Sequence, residues 1–213
     1  LQTPTGIKDV GYISKLLIQG SSNQEVLWLG MRSSAVSLFG INLTTMQIST
    51  YASDRSGHSN PNQLRMGNIY ALAMGGGNSI WIGTSGGLDR LDSKSGIFEH
   101  LLAGFSIRVL HKDHKNNLWV GTWRNSLVKI DGQTGEICPF TLADESFSIN
   151  NSRNDIECLY QTSLDDHEVL WIGTRQGLVL MDLETEALLP VRLNSKNSID
   201  LKSVFISSIF QTS

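Results

Sequence analysis

The chain has 213 residues, 40% hydrophobic and 17% charged, with 17 basic against 20 acidic side chains for a formal charge of −3. Such a length holds at most about two ordinary domains and buries a real core. The balance excludes a disordered chain, a polybasic nucleic-acid binder and a strongly acidic tail. No apolar run reaches the roughly 18 residues of a membrane helix, no signal peptide opens the sequence, and two cysteines make no disulfide framework. With Leu1 where an initiating Met would stand, the expectation is a processed protein or an excised piece of one.

Residues 1–11 read as the tail of a connector, and the first clear signal is an apolar pair three apart, Ile13 and Leu16. The pair recurs as Ile69/Leu72, Ile107/Leu110 and Ile156/Leu159, opening apolar stretches of the kind that form strands buried on both faces. A Gly-, Asn- or Asp-rich turn comes next, then a strand centred on Trp: Leu27-Trp28-Leu29-Gly30, Ile80-Trp81-Ile82-Gly83, Leu118-Trp119-Val120-Gly121 and Leu170-Trp171-Ile172-Gly173. After it stand an apolar residue, two variable positions, an apolar residue and Asp or Asn: Leu38 to Asn42, Leu88 to Asp92, Leu127 to Asp131 and Leu178 to Asp182. A last apolar position, Ile48, Phe98, Ile137 or Leu188, marks a fourth strand. In the turn before it, Asp hydrogen-bonds the backbone, and Gly96 or Gly135 accepts positive φ. Met46 and Glu186 take the glycine's place in the other two copies, so those turns are expected to differ in shape.

Four-stranded antiparallel sheets in tandem, with Trp and Gly at fixed places, predict an all-β β-propeller segment. The blades are expected at about 12–51, 68–100, 106–140 and 155–190, with an orphan first strand of a fifth at 204–211, where Ile206 and Ile209 repeat the apolar pair. Trp28, Trp81, Trp119 and Trp171 are expected to fill the gap between neighbouring blades, and Gly30, Gly83, Gly121 and Gly173 to relieve crowding beside them. Four blades and one strand seldom close a ring, so the chain is expected to belong to a larger array and to pair with further blades or with a second copy of itself.

The pattern Ile-x-x-Leu, then Leu-Trp-Ile-Gly-Thr-x-x-Gly-Leu-x-x-Leu-Asp, is clearest from Ile69 to Asp92 and from Ile156 to Asp182. It resembles the two-component regulator propeller repeat, over about residues 7–211. The first copy departs with Leu29-Gly30-Met31, and the third with Trp123-Arg124-Asn125 in place of Ser-Gly-Gly. The resemblance implies a periplasmic sensor propeller of a membrane-bound histidine kinase, hybrid regulator or diguanylate cyclase. The module itself would be non-catalytic and would bind a carbohydrate or other small ligand. A membrane helix and the signalling domains would lie elsewhere in the parent, and this piece would touch neither nucleic acid nor membrane.

Strand direction puts the turns after the Trp strands and the connectors 52–68, 141–155 and 190–203 on one face. Arg32, Trp123, Arg124 and Arg175 gather there, where guanidinium forks beside an aromatic suit an anionic or sugar ligand. The alternative is a solvated loop surface. His58, His100, His111, His114 and His167 offer no familiar ligand spacing, so neither a metal nor a cofactor is expected. Cys138 and Cys158 fall on different strands and are expected to stay unpaired packing residues. Asn42-Leu43-Thr44 and Asn150-Asn151-Ser152 match a glycosylation sequon, which matters only in a eukaryotic secretory setting. Two further readings stay open: a propeller lyase using His111 and His114, and a passive protein-docking scaffold.

Overall fold

The computed structural model describes residues 10–21, 25–34, 36–54, 60–65, 67–124, 127–140, 142, 155–191, 201 and 204–211. Among them there is no helix, and the strands make four antiparallel sheets of four, each a meander in chain order. The first sheet is β1 (Val10–Gln19), β2 (Val26–Ser34), β3 (Val36–Asn42) and β4 (Ile48–Ala52). The second is β5 (Ile69–Met74), β6 (Ser79–Thr84), β7 (Leu88–Asp92) and β8 (Phe98–Leu101). The third is β9 (Ser106–Lys112), β10 (Leu118–Trp123), β11 (Leu127–Ile130) and β12 (Ile137–Phe140). The fourth is β13 (Ile156–Leu164), β14 (His167–Thr174), β15 (Gly177–Asp182) and β16 (Leu188–Leu189). The chain divides into two compact units, residues 1–107 and 108–213.

The repeated residues build each unit in the same way. In the first, Trp28 and Leu38 of one sheet bury against Ile69, Ile80, Ile82, Leu91 and Phe98 of the next, with Leu64 of the connector closing the cluster. In the second, Trp119 and Leu127 bury against Ile156, Leu170, Ile172, Val179 and Met181. The glycine two places after each Trp makes this approach possible. A Cβ on Gly30 would stand 2.7 Å from Ile69 Cγ2, one on Gly83 2.7 Å from Ile107 Cγ2, and one on Gly121 2.6 Å from Ile156 Cγ2. The first isoleucine of each repeat therefore sits where the previous repeat has no side chain.

The Trp residues do not share one environment. Trp28 and Trp119 are buried, whereas Trp81 and Trp171 are half-buried. The two buried indoles donate Nε1–H to polar side chains of their own sheets, Trp28 to Gln19 Oε1 and Trp119 to Asp113 Oδ2, each at 2.9 Å. Trp81 instead lies 5.4 Å below the Arg90 guanidinium.

The turn into each outer strand is capped by the Asp or Asn of the motif. Asn42, Asp92, Asp131 and Asp182 each accept, on one side-chain oxygen, the backbone N–H groups two and three residues on, at 2.7–3.0 Å. The expected difference between the copies with and without glycine is not found. Met46 (φ 58°) and Glu186 (φ 59°) enter the same left-handed region as Gly96 and Gly135 (both 75°). The cap fixes the turn strongly enough to carry the strain of a Cβ there. The Thr of Trp-x-Gly-Thr has a matching task at the other end. Thr84 and Thr174 are buried and donate Oγ1–H to Gly87 O and Gly177 O, while accepting Gly86 N–H and Gln176 N–H.

Residues 204–211 form no strand, against expectation. A strand needs a run of paired backbone groups, and none is formed along this segment. Ile206 nevertheless keeps the place of a first-strand isoleucine: its N–H donates to Thr174 O at 2.9 Å, and its Cγ2 lies 2.7 Å from where a Gly173 Cβ would be. Much of the connectors 141–155 and 190–203, and part of 52–68, lies outside the described residues.

Candidate functional site

The four residues expected on the variable face fall into two clusters, one in each unit. Arg32, Trp123 and Arg175 occupy the same register position, two residues after the repeat glycine, and Arg124 comes directly after Trp123. In the second unit Trp123, Arg124 and Arg175 come together. The Trp123 ring carries the Arg108 guanidinium at 4.1 Å from its centroid, with those of Arg124 and Arg175 at 5.8 Å each. Three cations around one indole is an unusual density of cation–π contact, and their mutual repulsion needs a counterweight. Asp155 and Glu157 supply it. Arg175 Nε lies 2.8 Å from Glu157 Oε1 and 3.4 Å from Asp155 Oδ2, while Asp155 Oδ1 accepts the Arg124 N–H at 2.9 Å. Asp155 is buried, and the Glu157 hydrogen bond holds Arg175 above its ordinary value, so that side chain stays charged. Arg175 is about half exposed and also lies 5.5 Å from the Phe205 ring. Arg124 adopts φ 71°, which turns the loop sharply at the edge of the indole.

In the first unit Arg32 lies 4.1 Å over the Tyr70 ring and donates from Nη1 to Tyr12 Oη at 3.2 Å. This is a smaller version of the same chemistry, one guanidinium between two phenols.

Several members escape a reading of the sequence, although a signal for them exists. Tyr70, Arg108 and Glu157 all stand directly after the first isoleucine of Ile-x-x-Leu. The β5–β6 and β13–β14 ladders slip at this position, between Ile69 and Ala71 and between Ile156 and Cys158. A bulged residue is left out of the ladder and its side chain re-aimed. The variable first x of the motif is therefore the place to look for ligand-facing groups.

The histidines do other work. His111 Nε2 lies 3.4 Å from Gln161 Oε1, and the Gln161 amide donates to His114 Nδ1 at 2.9 Å and to Glu168 Oε2 at 2.6 Å. Burial pulls His111 below its ordinary value, against the Gln161 bond. His100 is buried with Asp89, Nδ1 to Oδ1 2.7 Å, and its Nε2 lies 3.0 Å from Asn60 O. Asp89 also accepts Arg65 N–H at 2.8 Å; burial pushes its carboxyl up, opposed by the His100 hydrogen bond. That pair ties the 60–65 connector to the outer edge of the second sheet. Among the described residues no three His, Cys, Asp or Glu side chains converge as metal ligands. Cys138 and Cys158 are both free and half-buried, and burial raises the Cys158 thiol.

Solved structures share this arrangement of sheets. The chain aligns with an extracellular domain assigned to the hybrid two-component system BT3049 of Bacteroides thetaiotaomicron, at TM-score 0.63 and 18% identity over 89% of the chain and 25% of that domain. It aligns with a catalytically inactive virginiamycin B lyase of Staphylococcus aureus in complex with quinupristin, at 0.59 and 16%, over 86% of the chain and 57% of the lyase. It aligns with the β-propeller domain of Cps50 (Swd1) from Myceliophteria thermophila, at 0.59 and 14%, over 87% and 57%. The fold is that of a β-propeller. At such identities the likeness concerns the fold, and the chain spans a quarter of the two-component domain's length. No protein-family model and no curated protein matches the sequence. Among the described residues no helix is long and apolar enough to cross a membrane.

Proposed function

We propose that this chain is a non-catalytic sensing segment of an extracytoplasmic propeller. In this reading it belongs to the periplasmic part of a two-component histidine kinase or hybrid regulator, and it binds a small ligand, a carbohydrate or another polar molecule with an anionic group, at the Trp123 cluster. The observation that carries the reading is the indole ringed by the guanidinium groups of Arg108, Arg124 and Arg175. A flat aromatic face stacks against a sugar ring, and a half-exposed guanidinium offers forked donors to a carboxylate or sulfate. The carboxylates of Asp155 and Glu157 hold Arg175 in place before a ligand arrives, which lowers the ordering cost of binding. The fold likeness to the extracellular domain of a two-component system adds the setting. To signal, such a ligand must bind two arrangements of the parent with different affinity.

The test is calorimetric titration of the 213-residue chain against a panel of sugar acids and neutral oligosaccharides. The reading expects saturable heat for a member of the panel, abolished in Trp123→Ala and weakened in Arg175→Ala. No saturable binding across the panel, or binding indifferent to both substitutions, overturns it. The likeness to virginiamycin B lyase keeps a catalytic reading in view. That reading needs an acid–base pair, and turnover of a streptogramin lost on replacing His111 or His114 with alanine would favour it. A docking scaffold would show in pull-down with no small-molecule heat.

A further inference from the structure

Arg32 and Arg175 stand at one register position, two residues after the repeat glycine, and the chain neutralises only the second. Arg175 Nε lies 2.8 Å from Glu157 Oε1 and 3.4 Å from Asp155 Oδ2. Those acids sit just after and just before the first isoleucine of the fourth sheet. In the first sheet the same places hold Ser14 and Tyr12, neither of which brings a carboxylate. The Ser14 hydroxyl is already engaged, 2.7 Å from Ile69 O and 3.0 Å from Gly30 O. Tyr12 is the cross-strand neighbour of Arg32 and accepts its Nη1–H at Oη, at 3.2 Å. Arg90, Lys115 and Lys129 each have a glutamate partner, but among the described residues no Asp or Glu side chain pairs with Arg32. Its Nε–H, the group that Glu157 satisfies in Arg175, is buried without an acceptor. A half-buried guanidinium short of both counter-charge and acceptor is costly unless a partner arrives from outside.

We infer that Arg32 is the centre of an oxyanion site, which takes the carboxylate or sulfate group of a small molecule where the fourth sheet uses its own Asp155 and Glu157. The donors converge. Nη1 gives one hydrogen to Tyr12 Oη and keeps a second, and Nη2 has no bond among the described residues. Tyr12 is the acceptor in that bond, so its own O–H remains to be donated, and at 56% exposed it is reachable from solvent. Tyr70 forms the wall: the guanidinium lies 4.1 Å over its ring, which fixes the plane of the fork. An end-on fork beside a phenol presents Nη1–H, Nη2–H and Oη–H to one oxyanion, and hydrogen bonds between two charged groups are the strongest of their kind. A neutral sugar would leave the guanidinium charge uncompensated. The site lies within the first unit and shares no residue with the Trp123 cluster, so either reading can fail without the other.

The test is a titration of the 213-residue chain followed by NMR at the Arg32 Nε–H signal. The probes are sodium sulfate, sodium D-glucuronate and D-glucose, with chloride holding the ionic strength constant. A saturable shift with sulfate or glucuronate and none with glucose is expected, and Trp123→Ala should leave it unchanged. Tyr12→Asp puts a carboxylate beside Arg32 where Asp155 stands beside Arg175. It should weaken the anion by about ten-fold or more, the usual worth of a charge-assisted hydrogen bond. Tyr12→Phe removes only a donor and should weaken it by about three- to ten-fold. No shift with either anion beyond that in chloride, a shift that glucose reproduces, or binding as tight in Tyr12→Asp as in the unaltered chain overturns the proposal. Should Tyr12→Asp lose the β circular-dichroism signal, the Tyr70 amide is followed in the unaltered chain and in Arg32→Gln. Loss of the anion response in Arg32→Gln supports the proposal, and its persistence overturns it.

Discussion

Trp119 and Trp171 stand at the same place in adjacent copies of one repeat, yet only the first is buried. Trp119 sits in the second unit's core beside Ile156, with the Phe140 ring 5.3 Å away and its Nε1–H donated to the buried carboxylate of Asp113. Trp171 donates to the Thr162 hydroxyl at 3.0 Å and lies outside that core. The sequel of the repeat does not decide it, since Trp81 is half-buried too although a complete sheet follows its own, and it lies against the Arg90 guanidinium. The repeat fixes where the indole stands on its strand, and the non-repeated side chains around it fix how deeply it is buried.

The largest effect that sharpens this contrast is on stability. Trp119→Ala should cost about 3–5 kcal/mol in urea denaturation, the usual toll of emptying a buried aromatic site. Trp171→Ala should cost less than half of that; equal costs would break the comparison. Next come the hydrogen-bond partners. Asp113 accepts Trp119 Nε1–H, Asn117 Nδ2–H and the N–H groups of Lys115 and Asn117, so Asp113→Ala leaves several buried donors bare and should cost about 1–3 kcal/mol. Thr162→Val removes one half-buried acceptor and should cost no more than about 1 kcal/mol.

The turns give a smaller and opposite effect. Met46 is exposed and held at φ 58°, so Met46→Gly should stabilise by about 0.5–1 kcal/mol, the left-handed strain released minus the chain entropy of glycine. Gly96→Ala should destabilise by a similar amount. The smallest effect is on the acid limb. Backbone N–H groups hold Asp92, Asp131 and Asp182 below the ordinary carboxylate value, Ser95, Thr134 and Thr185 providing the leading bonds. A carboxyl depressed on folding adds stability above its unfolded value of about 4. That stability is lost as pH falls through the folded value. Asn42 makes the same turn without a charge. Replacing the three aspartates with asparagine should therefore flatten the loss of stability below about pH 4, and an unchanged acid limb would assign that loss to other groups.

Much of the fold was legible because its determinants are local and repeat. Alternating apolar residues, Trp-x-Gly-Thr and the Asp cap each act within one hairpin, so four copies announce four sheets. The uneven burial of Trp81 and Trp171 was not legible, since it depends on what lies across a sheet face rather than on the strand itself. The turns at Met46 and Glu186 depart from expectation because the side-chain cap outweighs the preference of a single residue. Part of the candidate site could be read from turn positions, namely Arg32, Trp123, Arg124 and Arg175. Arg108, Asp155 and Glu157 were not read from those turns: Arg108 and Glu157 stand at the variable position after the first isoleucine, a place that draws attention only once the β13–β14 slip at Glu157 and the contacts to Trp123 and Arg175 are seen.

The most direct test of the architecture is a double-mutant cycle between a notch and the side chain seated in it. Gly30→Ala would place a methyl group 2.7 Å from Ile69 Cγ2. Ile69→Ala removes that atom, so the double variant should be more stable than the sum of the two single losses by more than about 1 kcal/mol. Losses that add within about 0.5 kcal/mol would mean that the glycine does not seat the next repeat's isoleucine, and the account of how these sheets stack would be wrong.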